Sequence, residues 1–201
     1  FNFLPLNGSA RLILRLHRAR PVSTWEAPAL HQIANTLAHR AGMSTPRLAV
    51  YPSDVPNAFT LGSRQEEGIV AVSSGLLRLL DGREMAGVLA HEYAHLKNRD
   101  SLLSLSAGLF VQAISALSSL FGFALLFLIL TGSWGGSSFL LAILLVTAAP
   151  HAATALQAAL MRTREFLADR DASQLTGDPT GLANALYKLE RHNRYLSGLY
   201  R

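Results

Sequence analysis

Val88-Leu89-Ala90-His91-Glu92-Tyr93-Ala94-His95-Leu96-Lys97-Asn98-Arg99-Asp100 carries an H-E-x-x-H sequence inside an apolar helical pattern. On a helix, positions i and i+4 lie one above the other, so His91 and His95 can each aim a ring nitrogen at one metal ion. Glu92 sits beside them. A hydrolytic zinc takes three protein ligands and keeps one position for water, and a neighbouring carboxylate can accept the proton of a water that attacks a peptide carbonyl. The plain alternative is a pair of histidines on a solvated helix. Met85, Val88, Leu89 and Leu96 speak against it, because they turn this helix toward a core.

Working upstream, Asp81 is placed to cap the motif helix and Gly75 to Leu80 forms a short helix before it. Arg47 to Tyr51, Phe59 to Leu61 and Gly68 to Ser73 have the composition of three strands of a small sheet. Pro52, Asp54, Pro56, Gly62 and the polar run Ser63 to Glu67 separate them. Ser23-Thr24-Trp25-Glu26 has capping-box spacing, Pro28 is tolerated in a first turn and Gly42 suits a stop, so residues 24–41 are expected to be helical. Leu30, Ile33, Leu37 and Ala41 form its apolar stripe. Arg11 to Arg20 mixes apolar residues with four arginines, which suits either an anionic membrane surface or an amphipathic arm packed on the domain.

Downstream, Ser101 through Met161 contains no Asp, Glu, Lys or Arg, and His151 is its only titratable side chain. A bilayer span needs about 20 largely apolar residues, so the run accommodates two, near 105–130 and 138–160. The small polar turn Thr131 to Ser138 lies between them, with Trp134 suited to an interface. Lys97 and Arg99 before the hairpin and Arg162 and Arg164 after it place both outer ends in the cytoplasm by the positive-inside rule. A soluble helical pair buried in an oligomer is the alternative. Ser104/Gly108, Ser115/Ser119 and Ser118/Gly122 suit close packing in either setting. Pro150 is expected to kink the second helix, and His151 to be a packing or hydrogen-bonded residue.

The best candidate for a third ligand follows the hairpin, in Met161 to Asp171. Glu165 is that residue, and Asp169 falls one turn later on the same face, where it can accept a hydrogen bond from the outer nitrogen of a ligand histidine. Solvated charges paired with neighbouring arginines are the alternative for both. Gly177 ends this helix, and Asp178-Pro179 starts another with Leu182, Ala185, Leu186 and Leu189 as its stripe.

Composition adds limits. The chain has 201 residues, enough for one domain with an appendage, and it begins at Phe1 without the layout of a signal peptide, as expected of a fragment or processed form. The formal charge is +5, but the basic residues flank apolar runs instead of forming an aromatic-studded stripe, so no nucleic-acid partner is expected. There is no cysteine, which leaves His, Asp and Glu as metal ligands.

The chain resembles the HtpX-like membrane zinc metallopeptidases, relatives of the CAAX prenyl endopeptidases. The likeness covers roughly residues 11–192. It is carried by Pro56 to Thr60 with Gly62, Val70 to Leu80, the motif helix through Asn98-Arg99-Asp100, the apolar hairpin, and Arg164 to Asp169 running on to Leu175 to Pro179. The resemblance implies an α+β, mostly helical zincin-like fold with a small β-sheet, interrupted by a two-helix transmembrane hairpin. It implies a zinc metalloendopeptidase of the gluzincin type, with one Zn2+ per chain on His91, His95 and Glu165, Glu92 as base and Asp169 behind a ligand. Such enzymes cut misfolded or damaged membrane proteins from the cytoplasmic side of the cell (inner) membrane as multi-pass proteins. The family usually has further membrane segments before this region and more residues after it, including groups that polarise the substrate carbonyl. Here His192, Tyr195 and Arg191 are the weak candidates.

The expected organisation is 1–100 for the first part of the protease domain, 101–161 for the hairpin and 162–201 for its second part. Partners would be the lipid bilayer and unfolded or extended polypeptides, membrane proteins among them. An extended substrate would add a strand to the sheet along Asn57, Ala58 and Phe59 through Leu61, or along Ile69 to Ser73. Two rival functions are a catalytically silent holdase or adaptor for unfolded membrane proteins and a CAAX-type processing protease. The complete set of Glu92, two histidines and Glu165 disfavours the first, and room for only two spans disfavours the second.

Overall fold

The computed structural model describes residues 8–62, 68–132 and 137–199. The polar run 63–67 and the centre of the hairpin turn, 133–136, lie outside them. Two compact units divide the chain: Phe1–Ser101 with Phe166–Arg201, and Leu102–Glu165.

The first unit builds a helical layer on a small mixed sheet. Its elements in chain order are α1 (Gly8–Leu16), β1 (Arg20–Pro21), α2 (Pro28–Ala41), β2 (Arg47–Tyr51), β3 (Ala58–Leu61), β4 (Ile69–Ser73), α3 (Ser74–Leu79) and α4 (Gly82–Asn98). After the second unit come the end of α6 (Ser137–Thr176) and α7 (Pro179–Leu199). The strand order is β1-β2-β4-β3. β4 pairs in parallel with β2 and antiparallel with β3, with Ala58 opposite Val72 and Leu61 opposite Ile69. β4 is therefore interior, fully buried over Ile69 to Ser73, and is not available as a substrate edge. The outer side of β3 is unpaired among the described residues.

Upstream, one expectation is corrected and one open choice, between a membrane-surface segment and an arm packed on the domain, falls to the packed arm. Helix α2 starts at Pro28, not residue 24, because the Glu26 carboxylate accepts from the Ser23 backbone N–H at 3.0 Å and its hydroxyl at 2.8 Å, closing a turn before the helix. Pro28 then takes the first helical position, where its missing N–H costs nothing. Arg11 to Arg20 becomes most of α1 and the start of β1, which pairs with β2 through Arg20 opposite Val50. Leu14 is buried against the sheet while Leu12 and Leu16 are exposed.

The core fills the space between the sheet and α2, α4 and α7, with Leu37, Val70, Val72, Leu76, Leu89, Tyr93 and Leu182 inside it. Tyr93 is fully buried and its hydroxyl donates to the Ala34 carbonyl at 3.2 Å. Gly87 explains how α7 reaches α4, since a Cβ there would meet the Leu182 Cα and N at 2.8 Å. Asp81 and Glu84 form a reciprocal capping box at the start of α4, and Glu84, itself buried, also accepts from Lys188 of α7 at 2.7 Å.

The second unit is a pair of helices, α5 (Asp100–Leu130, from residue 102 onward) and the first part of α6. Both are long and apolar enough to cross a membrane by length and composition. Large apolar side chains such as Phe110, Phe123, Leu130, Leu140 and Leu156 are exposed. The small residues lie where the helices meet: a Cβ on Gly122 would come to 3.7 Å from Val146, and one on Gly108 to 3.7 Å from Gln157. Helix α6 is continuous across Pro150. His151, expected to pack or to be hydrogen-bonded, is exposed instead.

Candidate metal centre and active site

Helix α4 delivers His91, Glu92 and His95 from two successive turns. The Nε2 atoms of His91 and His95 stand 3.0 Å apart. One ligand atom each from His91, His95 and Glu165 fall within 4.8 Å of one another, a group that can hold a metal ion. Glu165 is the residue at which α6 passes into the first unit.

The outer nitrogens explain the ring orientations. His91 Nδ1 lies 2.8 Å from Asp169 Oδ1, and His95 Nδ1 lies 2.7 Å from Asp100 Oδ2. A carboxylate oxygen accepts, so each of these contacts suits the tautomer with its proton on Nδ1 and leaves Nε2 turned toward the other ring. Two lone pairs at 3.0 Å repel unless a proton or a cation lies between them. The donor set of two imidazoles and a carboxylate, without thiolate, suits zinc. Two nitrogens bound to zinc at about 2.0–2.1 Å in tetrahedral geometry would stand roughly 3.3 Å apart, close to the spacing seen. The residues present therefore fit a bound zinc ion.

Asp100 was not assigned by sequence reasoning, although it closes the motif stretch. Arg99 takes a left-handed conformation (φ 55°) at the end of α4, and its N–H bonds back to the Leu96 carbonyl. That single residue turns the chain so that Asp100, five positions after His95, faces its ring. Asp100 is 10 % exposed at its side chain against 42 % for Asp169. An i to i+5 relation across a break in the helix follows no regular period, so spacing alone does not reveal it.

Glu92 is held from the sheet. The Thr60 hydroxyl of β3 donates to Glu92 Oε2 at 2.7 Å, linking the edge strand to the carboxylate beside the histidines. Asn57, Ala58 and Phe59 are placed differently. Asn57 and Ala58 line a cavity with His91 and Glu92, whereas Phe59 packs against Tyr51 and His17 on the far side of the sheet. Burial raises the Tyr51 phenol above its ordinary range. Of the C-terminal residues, Asn193 lines the same cavity, while His192, Tyr195 and Arg191 are not part of its wall.

Residues 24–198 match Peptidase family M48. The fold agrees with that assignment: the crystal structure of S. mikatae Ste24p superposes with a TM-score of 0.55 at 19 % identity, over 92 % of this chain and 46 % of that one. The chain belongs to Peptidase family M48. Within the family it is similar to the protein named Protease HtpX homolog of Pyrococcus furiosus, 42 % identical over 194 residues, covering 96 % of this chain and 67 % of the relative. Its counterpart in Thermococcus kodakarensis is 41 % identical over 97 % of this chain and 68 % of its own length. That of Salinibacter ruber is 42 % identical over 91 % and 63 %. The chain thus spans about two thirds of the length of the curated relatives it matches.

Proposed function

We propose that this chain is a zinc-dependent endopeptidase of the cell membrane, cleaving extended segments of misfolded or damaged membrane proteins on the cytoplasmic side. The observation that carries the reading is the convergence of His91, His95 and Glu165 within 4.8 Å, beside a glutamate fixed by a hydrogen bond from the edge strand. Membership of a peptidase family supports the reaction class. Two helices of spanning length and composition support the membrane, and the basic residues Lys97, Arg99, Arg162 and Arg164 at their outer ends support the cytoplasmic side.

His91, His95 and Glu165 would hold the zinc. When bound, zinc supplies a Lewis acid that polarises the scissile carbonyl and acidifies water. Asp169 and Asp100 keep the proton of each ring on Nδ1 and so leave Nε2 free for the metal. Glu92 accepts the proton of the attacking water and later delivers a proton to the leaving amine, with Thr60 keeping its carboxylate in place. The outer edge of β3 lends backbone groups to an extended substrate, a mode that gives affinity with little sequence preference.

Glu92→Gln tests the chemistry, because glutamine keeps the size of the side chain and its bond to Thr60 but cannot act as a base. The variant is expected to retain zinc by metal analysis and to lose at least about 100-fold in turnover on an unfolded protein substrate, the low end of general-base contributions. Cleavage at the wild-type rate would overturn this role. A zinc-loaded wild type that binds unfolded protein and never cleaves it would establish the holdase instead.

A further inference from the structure

Next to the site, α4, α7 and the segment entering β3 enclose a cavity of about 220 Å³. His91 and Glu92 form one end of it. Most of the remaining wall is aliphatic, with Leu76, Val88, Leu182, Leu186 and Leu189, while Asn57 and Asn193 are its polar members. Leu76, Val88 and Leu182 belong to the buried core and fix the floor, whereas Leu186 is 45 % exposed and stands at the mouth.

From this arrangement we infer that the cavity is a side-chain subsite of the peptidase, selecting substrates with a medium-sized apolar residue beside the scissile bond, and that Leu186 and Leu189 set its size limit. The inference rests on the peptidase reading above and adds the substrate class to it. Three observations converge on it. The cavity shares His91 and Glu92 with the proposed reacting centre, so a side chain lodged in it holds the adjoining backbone next to that centre. Ala58 belongs both to the cavity wall and to the strand whose free edge would pair with substrate, and side chains of an added strand project alternately to the two faces. One such position would therefore face the α4–α7 side. The size is also discriminating: a cavity of about 150 Å³ lined by aliphatic residues holds a benzene ring, so this one takes leucine, methionine or phenylalanine.

The chemistry of the wall decides what is refused. An acidic side chain would lose hydration against leucines and approach the carboxylate of Glu92, and both effects disfavour it. Alanine would fit but leave most of the apolar wall uncovered. Since a single methylene in an apolar pocket is worth about 10-fold or more, leucine should exceed alanine by at least that factor in kcat/KM. Tryptophan is at the limit set by Leu186.

The test uses the full chain in detergent with zinc and a peptide series that places Asp, Ala, Leu, Phe or Trp in turn on each side of one cleaved bond. Wild type is expected to prefer Leu and Phe over Ala by at least about 10-fold at one of the two positions, and to reject Asp there. Leu186→Trp should abolish that preference while still cleaving the Ala peptide, and Leu186→Ala should shift it toward Trp. The same order is expected in binding to Glu92→Gln, followed by fluorescence anisotropy, where no cleavage contributes. Cleavage with a preference that neither Leu186 variant changes would overturn the subsite and leave the peptidase reading standing. A zinc-loaded wild type that cleaves none of the peptides and no unfolded protein would overturn the peptidase reading, and the subsite falls with it.

Discussion

The two units of this chain differ in where most of their side-chain hydrogen bonds go, although each holds examples of both kinds. In the unit that carries His91 and His95, hydrogen bonds join residues far apart in sequence: Lys188 to Glu84, Tyr93 to Ala34, Asn98 to Asp171, and Arg40 to the carbonyls of Leu175 and Thr176. In the apolar hairpin, Ser115, Ser119, Thr147 and Thr154 return their hydroxyls to carbonyls four residues earlier in the same helix. A helix surrounded by hydrocarbon must satisfy its polar groups by itself. In the other unit side chains reach across between elements, so its long-range bonds specify a particular arrangement. Packing precision is therefore concentrated around α4, and substitutions there should cost far more than equivalent ones in the hairpin.

The largest effects are expected at the metal itself. His91→Ala, His95→Ala or Glu165→Ala should each remove most of the zinc found by metal analysis of the purified chain, since three protein ligands leave no spare donor. Undiminished zinc in the Glu165 variant would move the third ligand elsewhere. Behind the ligands the loss should be graded. Asp100→Ala and Asp169→Ala are each expected to weaken metal affinity by about 10- to 100-fold, with Asp100 the larger because its carboxylate is the more enclosed. Equal affinity of both variants with wild type would mean that α4 alone orients the rings.

Two glycines, one in each unit, differ in how closely a neighbour approaches. At Gly87 an added Cβ would strike the backbone of Leu182 at 2.8 Å, whereas at Gly122 it would reach only Val146 at an ordinary 3.7 Å. Gly87→Ala forces α7 away from α4 and should cost about 1–3 kcal/mol, the usual range for overpacking a core. Gly122→Ala makes a normal contact and improves helix propensity, so its effect should be neutral to slightly stabilising. Thermal unfolding of the two variants in one detergent would decide it. A tolerant Gly87 would contradict the close approach on which both the core and the adjoining cavity depend.

Much of this was legible in the sequence because it follows short periods. His91, Glu92 and His95 are brought together by one helical turn, β2 is marked by its composition and bounding residues, the hairpin by length and the absence of charge, and the shared face of Glu165 and Asp169 by their i to i+4 spacing. The features that escaped share another origin. The Asp100 to His95 bond depends on one left-handed residue, the Thr60 to Glu92 bond joins a strand to a helix 32 residues away, and the pairing of β1 with β2 involves only two residues. Which strand lies at the edge was also open, since Asn57 to Leu61 and Ile69 to Ser73 both have suitable residues. Only the order of pairing separates them, and that order is a tertiary property.

The smallest expected effect lies at the start of α4, where Asp81 caps the helix that carries both histidines. Its carboxyl sits below its ordinary value chiefly because the Glu84 backbone N–H bonds to it, with the Arg83 N–H and nearby Lys188 adding to the effect. A carboxyl whose pKa is lowered by folding stabilises the folded state once the pH exceeds its unfolded value, about 3.9. That contribution disappears as the pH falls through the lower folded value. Asn caps a helix about as well as Asp but does not titrate there. Asp81→Asn should therefore be slightly less stable than wild type near neutrality, through weaker interaction with the helix dipole, and should converge with it as the solution is acidified through and below about pH 3.9. Thermal midpoints of the two metal-free chains, measured across that interval, would show the gap closing. A gap that stays constant down to the most acidic point would mean that the Asp81 charge contributes nothing, and that the cap acts through hydrogen-bond geometry alone.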